Sequence, residues 1–359
     1  MKKYIFLIGL LLPLAVVLSG CAAGLTASSW PAMTADAKYA YLAGGPYVYA
    51  VNLQTGAQAW RFPASSSAAN PFYATPVLTS DGQLIVGGFD KKLYSINPQT
   101  GQSTWQFTGA HDRYFGGVAV VKDMIYAPNA DYNLYALDLK GQLRWSFEAD
   151  QSIWGAPVSD GTNIYFGTLG RKVYAVNAQT GKQTWMQTVD GAVLGSPVLE
   201  SGKALFVGTY GGTLYALDPA SGKPLWSKPA SSWIWAGPVS DGTNLYVGDA
   251  NGKLIAYPVS GGNKLWEQDL NGAIVGSPCI CGDKIVVGTE AGTVYFISPA
   301  GKILQTITLS TSMKVYATPA TASGGTLALV APTSTASTDP VMVALDASGA
   351  TKWSFIPPK

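Results

Sequence analysis

Short apolar runs, each closed by polar turn residues, recur along the chain at an almost fixed interval. The phrase is an apolar residue, Tyr, a small residue and a second apolar residue, then Asn or Asp, a Thr-Gly or Ser-Gly, and finally Trp. It reads Val48-Tyr49-Ala50-Val51-Asn52 through Gly56 to Trp60, then Leu93-Tyr94-Ser95-Ile96-Asn97 to Trp105, and Leu134-Tyr135-Ala136-Leu137-Asp138 to Trp145. Val173-Tyr174-Ala175-Val176-Asn177 leads to Trp185, and Leu214-Tyr215-Ala216-Leu217-Asp218 to Trp226. A weaker copy, Leu254-Ile255-Ala256-Tyr257, runs to Trp266, and Val294-Tyr295-Phe296-Ile297 ends at Gln305 instead of Trp. The last, Met342-Val343-Ala344-Leu345-Asp346, closes at Trp353. Eight copies spaced 39 to 48 residues apart, with strand-like content, predict a β-propeller.

Each unit resolves into four short strands. In the fourth they are expected at Ala156–Val158, Ile164–Gly167, Val173–Val176 and Gln183–Gln187, with turns at Asp160-Gly161-Thr162 and from Asn177 to Gly181. An Asn or Asp that caps its own backbone and a Gly free to take positive φ are what such hairpins need. Small pairs precede the first strand in nearly every unit: Ala74-Thr75, Gly116-Gly117, Gly155-Ala156, Gly195-Ser196, Ala236-Gly237, Gly276-Ser277 and Ala317-Thr318. That strand is therefore expected innermost, where eight blades crowd one axis. The fold class that follows is all-β, an eight-bladed propeller of four-stranded antiparallel blades over residues 28–359. The recurrent Trp60, Trp105, Trp145, Trp185, Trp226, Trp266 and Trp353 read as structural, rings wedged between blades. The first unit opens with its inner strand and the last ends with its outer one, so ring closure is expected to rest on side-by-side packing.

Three residues before each first-strand Pro, or the Val118 that replaces it, stand Ser28, Tyr73, Phe115, Trp154, Leu194, Trp235, Val275 and Tyr316. Equivalent positions in a propeller form a ring. Tyr73, Phe115, Trp154, Leu194, Trp235 and Tyr316 are accordingly the candidate binding residues, lining one mouth of the central channel for an apolar segment, a peptide strand or a ligand. The competing reading packs them between blades.

Composition fits this picture. At 47% hydrophobic and 12% charged residues, the chain can bury enough surface to offset its ordering entropy, which excludes disorder. Its 41 Gly and 22 Pro disfavour a helical fold.

The N-terminus reads as an address. Met1-Lys2-Lys3 precedes an apolar run from Ile5 to Leu18, and Leu18-Ser19-Gly20-Cys21 follows. This resembles the bacterial lipobox, which implies a signal peptide over 1–20, acylation of Cys21 and a short lipidated linker over 21–27; the competing reading is an uncleaved membrane anchor, for which the apolar run is short. The membrane is then a partner through the lipid, because several buried acyl chains hold a protein persistently. Loss of Lys2 and Lys3 brings the 23 basic residues to 21, equal to the 21 acidic ones, so no basic excess remains for nucleic acid. Cys279 and Cys281, two apart on an expected strand, point to one face without geometry for a local bridge. They read as small buried side chains. His111 is the only histidine, too far off in sequence to complete a zinc site with them.

The stretch from Tyr215 to Trp226, Tyr-Ala-Leu-Asp-x-x-Ser-Gly-Lys-x-x-Trp, resembles the quinoprotein (PQQ-type) propeller repeat, and the resemblance covers about residues 28–359. That family holds both quinone-dependent alcohol dehydrogenases and cofactor-free scaffolds, among them the BamB lipoproteins of outer-membrane assembly. The enzymes carry long insertions, a calcium held by acidic and amide side chains, an Asp base, and a quinone stacked between Trp and a disulfide of adjacent cysteines. Here the units are nearly bare. The one real insertion, Ala331 to Pro340, reads as a Ser/Thr loop, and no two cysteines are adjacent. Asp81, Asp138, Asp160, Asp218 and Asp241 fall at turns, where capping explains them. The expectation is therefore a monomeric, non-enzymatic binding scaffold with no catalytic residue, metal or cofactor. A β-barrel insertase is the expected partner. Ala22 after Cys21 gives no acidic retention signal, so a two-membrane host would carry the protein on its outer membrane, facing the periplasm. A one-membrane host would carry it on the outer face of its cell membrane, without the assembly role. Carbohydrate, cell-wall or ligand binding and a sensory ectodomain are the alternatives, with a PQQ-dependent dehydrogenase behind them.

Overall fold

The computed structural model describes residues 30–65 and 71–358. The expected signal peptide and lipidated linker, with Cys21 and Ser28, lie outside these residues. Eight four-stranded sheets, each paired antiparallel in chain order, make eight blades. Blade 4 is typical: Val158–Ser159, Asn163–Gly167, Lys172–Asn177 and Gln183–Thr188. Its inner strand starts two residues later than the sequence pattern suggests. Pro157 has no N–H to give a ladder, and Ala156 donates its own N–H sideways, to Ser196 Oγ of blade 5 at 2.9 Å.

The inner strands do crowd the axis. A Cβ on Gly155 would lie 2.5 Å from the Gly195 carbonyl oxygen, and one on Gly195 2.1 Å from the Gly237 nitrogen. Larger residues there would push neighbouring blades apart.

The indoles join each blade to the next. Trp145 on the outer strand of blade 3 donates Nε1–H to the Ala178 carbonyl of blade 4 at 3.1 Å, and its ring lies against Gly181. That turn is shaped by Asn177, whose Oδ1 accepts the N–H groups of Gln179 and Thr180 at 3.1 and 2.9 Å. Gly181 takes φ 70°, and a Cβ there would sit 2.8 Å from the indole. Trp60, Trp105, Trp185 and Trp266 make the same donation to Pro98, Leu139, Pro219 and Pro299. Trp226 packs on Gly261 in the same way. In blade 7, where Gln305 replaces Trp, Ile307 fills the space beneath Gly349.

Closure uses this same contact. Blades 1 and 8 each build all four strands from their own end of the chain. Trp353 donates Nε1–H to the Leu53 carbonyl at 2.7 Å and packs on Gly56, while Tyr49 and Phe355 meet edge to face at 5.4 Å. Leu42, Val51, Leu329 and Ala344 complete the shared core.

Two local features add to the sequence picture. Part of the Ala331–Pro340 insertion is ordered as a strand: Thr333–Ser334 pairs with Met313–Lys314. The Asp339 carboxylate ties the pair by accepting the Ser312 and Ser334 hydroxyls at 2.6 and 2.5 Å. Cys279 and Cys281 share the inner strand of blade 7 as free thiols, Cys281 buried and Cys279 half-buried. Burial pushes the Cys279 thiol up to about 12.

Candidate functional site: the aromatic mouth of the channel

Between the outer strand of one blade and the inner strand of the next, two consecutive side chains point opposite ways. The first is driven between blades: Tyr114, Ile153, Val193, Ile234, Ile274 and Val315 are all buried. Backbone hydrogen bonds fix it. The N–H groups of Ile153, Val193, Ile234, Ile274 and Val315 donate to the carbonyls of Asn129, Thr168, Thr209, Asp249 and Thr289, at 3.0–3.2 Å. Because extended backbone alternates its side chains, the residue that follows is turned to the axis. That residue is Phe115, Trp154, Leu194, Trp235, Val275 or Tyr316, each half-buried. Tyr73, after buried Phe72, does the same in blade 2.

Together they line one cavity of about 760 Å³ at the channel mouth, above the belt of Gly, Ala, Ser and Thr at the axis. All six candidate residues, and Val275, are brought to it. They form two aromatic arcs. Tyr73 meets Phe89 at 5.3 Å, Phe89 meets Phe115 at 5.0 Å, and Phe115 stacks on Trp154 at 4.6 Å with 23° between planes. On the other side Trp235 stands edge-on to Trp30 at 5.1 Å, and Trp30 lies 5.3 Å from Tyr316.

Among the described residues Trp30 is the contribution of blade 1; Ser28 lies outside them. It stands directly before Pro31, in the register where the other units carry Thr75, Gly117, Ala156, Ser196, Gly237, Ser277 and Thr318. A bulky ring in a small-residue register leans over the opening toward blades 8 and 6. Phe89 and Tyr210, from turns between second and third strands, were also not singled out by the spacing. Tyr210 bridges Trp235 to Trp233, at 6.0 and 4.8 Å, and Trp233 is 45% exposed.

Among the described residues the lining includes no Asp, Glu, Asn, Gln, His, Lys, Arg or Cys, so it carries no formal charge. An ion pair lies behind Tyr316, whose hydroxyl donates to Glu290 Oε1 at 3.1 Å, while Lys314 Nζ contacts the same oxygen at 2.9 Å. Lys314 and the Tyr316 hydroxyl hold the Glu290 carboxyl below its usual range. Burial raises the Tyr73 and Tyr316 phenols. Such a wall offers apolar contact and ring stacking, with the Tyr73 and Tyr316 phenols and the Ser and Thr hydroxyls of the belt as its polar side chains.

Comparison with known proteins places this architecture. The family model described as outer membrane protein assembly factor BamB matches residues 20–152, 141–232 and 211–355. Among solved structures, the crystal structure of BamB from Moraxella catarrhalis aligns with a TM-score of 0.66 at 18% identity, over 88% of this chain and 93% of that one. The computationally designed Ika8 protein aligns with a TM-score of 0.71 at 17% identity, over 90% and 95%. At such identities the likeness speaks for the fold alone. A search of curated proteins returns no match.

Proposed function

The chain belongs to the family of outer membrane protein assembly factor BamB, and from that premise we propose that it is a non-enzymatic, lipid-anchored scaffold outside the cytoplasm that holds a β-barrel insertase. The observation that carries the reading is the family match, which runs through the eight-bladed core. Three features support it. The Leu18-Ser19-Gly20-Cys21 sequence suits acylation at Cys21. Blades with short connections leave broad faces and rims for protein contact. The concave site described above has, among the described residues, a lining free of carboxylates, amides, histidine and cysteine, which favours binding over the dehydrogenase chemistry found elsewhere among PQQ-type propellers.

The test is crosslinking in the native membrane, followed by purification through a C-terminal tag and identification of what comes with it. Recovery of a β-barrel insertase is the expected result, with the lipid on Cys21 read by mass spectrometry. Failure to recover one from a preparation rich in the tagged protein overturns the assembly role.

A further inference from the structure

Whatever protein the propeller docks to, its channel mouth has the size and chemistry of a small-molecule site. The cavity of about 760 Å³ falls within the usual range for such sites, roughly 300–1,000 Å³. All eight blades wall it. Its ring residues are half-buried, while the neighbours that hold the blades together are fully buried. The rings are thus left partly free by the folding of the scaffold. We propose that the mouth binds a single uncharged aliphatic chain, of the alkyl or acyl class.

The lining decides between chemistries. A phosphate or carboxylate is best held by a cation, and the described lining has none; a sugar could stack on the rings, but its many hydroxyls would find only the few Ser, Thr and Tyr hydroxyls and no carboxylate or amide. An extended peptide would bring N–H and C=O groups that are costly to bury without partners. The hydroxyls that could serve them are partly committed. Ser196 Oγ and Thr318 Oγ1 already accept the N–H groups of Ala156 and Ser277, at 2.9 and 3.0 Å, stitching blade to blade. An alkyl chain brings no polar group and needs only the apolar contact that Trp154, Leu194, Trp235 and Trp30 offer.

Position supplies the source. Trp30 stands nine residues after Cys21, a reach of at most about 30 Å even fully extended. With Cys21 acylated, as its setting predicts, the mouth is held within that distance of the bilayer. Exposed Trp233, then Tyr210 and Trp235, lead as neighbouring rings from the rim to Trp30 and the cavity. Trp and Tyr are also the side chains favoured at membrane interfaces.

Every strand of the described residues, and the ring closure, lie within residues 30–358, so a chain beginning at Ala22 retains all eight blades and can be studied without detergent. The neutral fluorescent probe N-phenyl-1-naphthylamine should bind it saturably, at one per chain, and be displaced by 1-dodecanol but not by maltotriose. Trp154→Ser combined with Trp235→Ser should weaken binding roughly tenfold or more. Leu194→Glu, which places a charge in the neutral wall at a half-buried position, should do the same with a near-native melting temperature. Absence of saturable binding overturns the proposal, as does displacement by maltotriose with none by 1-dodecanol. So does a double variant that melts far lower while Leu194→Glu binds as the parent does, because the rings are then core. The full-length acylated protein separates two sources of the same chemistry. Probe excluded from it means that its own acyl chain fills the mouth, and probe still bound means that the site serves a separate lipid.

Discussion

Closure without strand exchange has a measurable consequence at Trp353. Trp353 and Trp185 are equivalent by every local measure. They are 9% and 8% exposed, and they donate to the neighbouring blade at 2.7 and 2.8 Å. Each also lies against a turn glycine, Gly56 or Gly222. Burial of roughly 150–250 Å² per indole, at about 25 cal/mol per Å², sets an upper bound of about 4–6 kcal/mol. Truncation of buried Trp to Ala generally costs about 3–5 kcal/mol. Both Trp353→Ala and Trp185→Ala should therefore lower global stability by about that amount. They should differ in how the loss is distributed. Blades 4 and 5 are joined by the chain and stay adjacent when their packing weakens. Blades 8 and 1 have no chain connection and are held by packing and the Trp353–Leu53 hydrogen bond, so the ring can part there while the other blades remain folded. A loss of about 3–5 kcal/mol from the opening free energy corresponds to exchange roughly a hundredfold to several thousandfold faster. Hydrogen exchange read by mass spectrometry should show this acceleration at Tyr39–Asn52 and Met342–Phe355 in Trp353→Ala, ahead of the rest of the molecule. In Trp185→Ala the change should be global or centred on blades 4 and 5. Equal exchange profiles in the two variants would refute the idea that the seam is the weak point.

Two further expectations rest on single residues. Gly161 and Gly181 both take positive φ, 86° and 70°, yet a Cβ on Gly161 meets nothing within 4 Å whereas one on Gly181 lies 2.8 Å from Trp145. Urea unfolding should show Gly161→Ala costing about 1–2 kcal/mol for backbone strain alone, and Gly181→Ala costing about 1–3 kcal/mol more for overpacking; equal losses would mean that the indole yields freely. Asp160 supplies a pH dependence: burial pushes its carboxyl up, but the N–H groups of Asn163 and Thr162 and the Tyr165 hydroxyl, at 2.7, 2.8 and 2.8 Å, together pull it below its usual 3.8. A carboxyl depressed in the folded state stabilises above its unfolded value, and that contribution is lost as pH falls through the lower folded value. Melting temperatures measured down from about pH 5 should fall less steeply in Asp160→Asn than in the parent, and parallel curves would remove Asp160 from the acid response.

The blades were legible in the sequence because geometry forces the same residue at the same place in each. The turn needs Asn177 or its counterpart to cap and Gly181 to take positive φ, the indole needs that Gly to lie against, and the axis needs residues as small as Gly155 and Gly195. The mouth was legible in most blades for a related reason: the offset before Pro157 and its equivalents keeps a fixed register. Trp30 escaped because it reaches the mouth from the register of the small belt, two positions later than Ser28, and only its contacts with Trp235 and Tyr316 reveal it. Phe89 and Tyr210 escaped because they come from turns whose identity the repeat does not constrain. The Thr333–Ser334 strand was hidden by its Ser/Thr composition. Its order comes from Asp339 and from pairing with Met313–Lys314, both nonlocal causes.

The eight units also separate what the fold requires from what it permits. At turn and interface positions the residue recurs because alternatives would break the blade. At the mouth the identity changes from Tyr to Phe, Trp, Leu and Val, but charge never enters: no charged residue, amide or histidine appears among the ring residues of blades 2 to 8. Packing does not impose this, since these side chains are half-buried and border open space, where a polar residue would be accommodated at little cost. One step further along the chain Thr75, Ser196, Ser277 and Thr318 show that hydroxyls are tolerated at the axis itself. A ring free of charge at seven positions, through five residue types and where folding does not demand it, points to what enters the mouth.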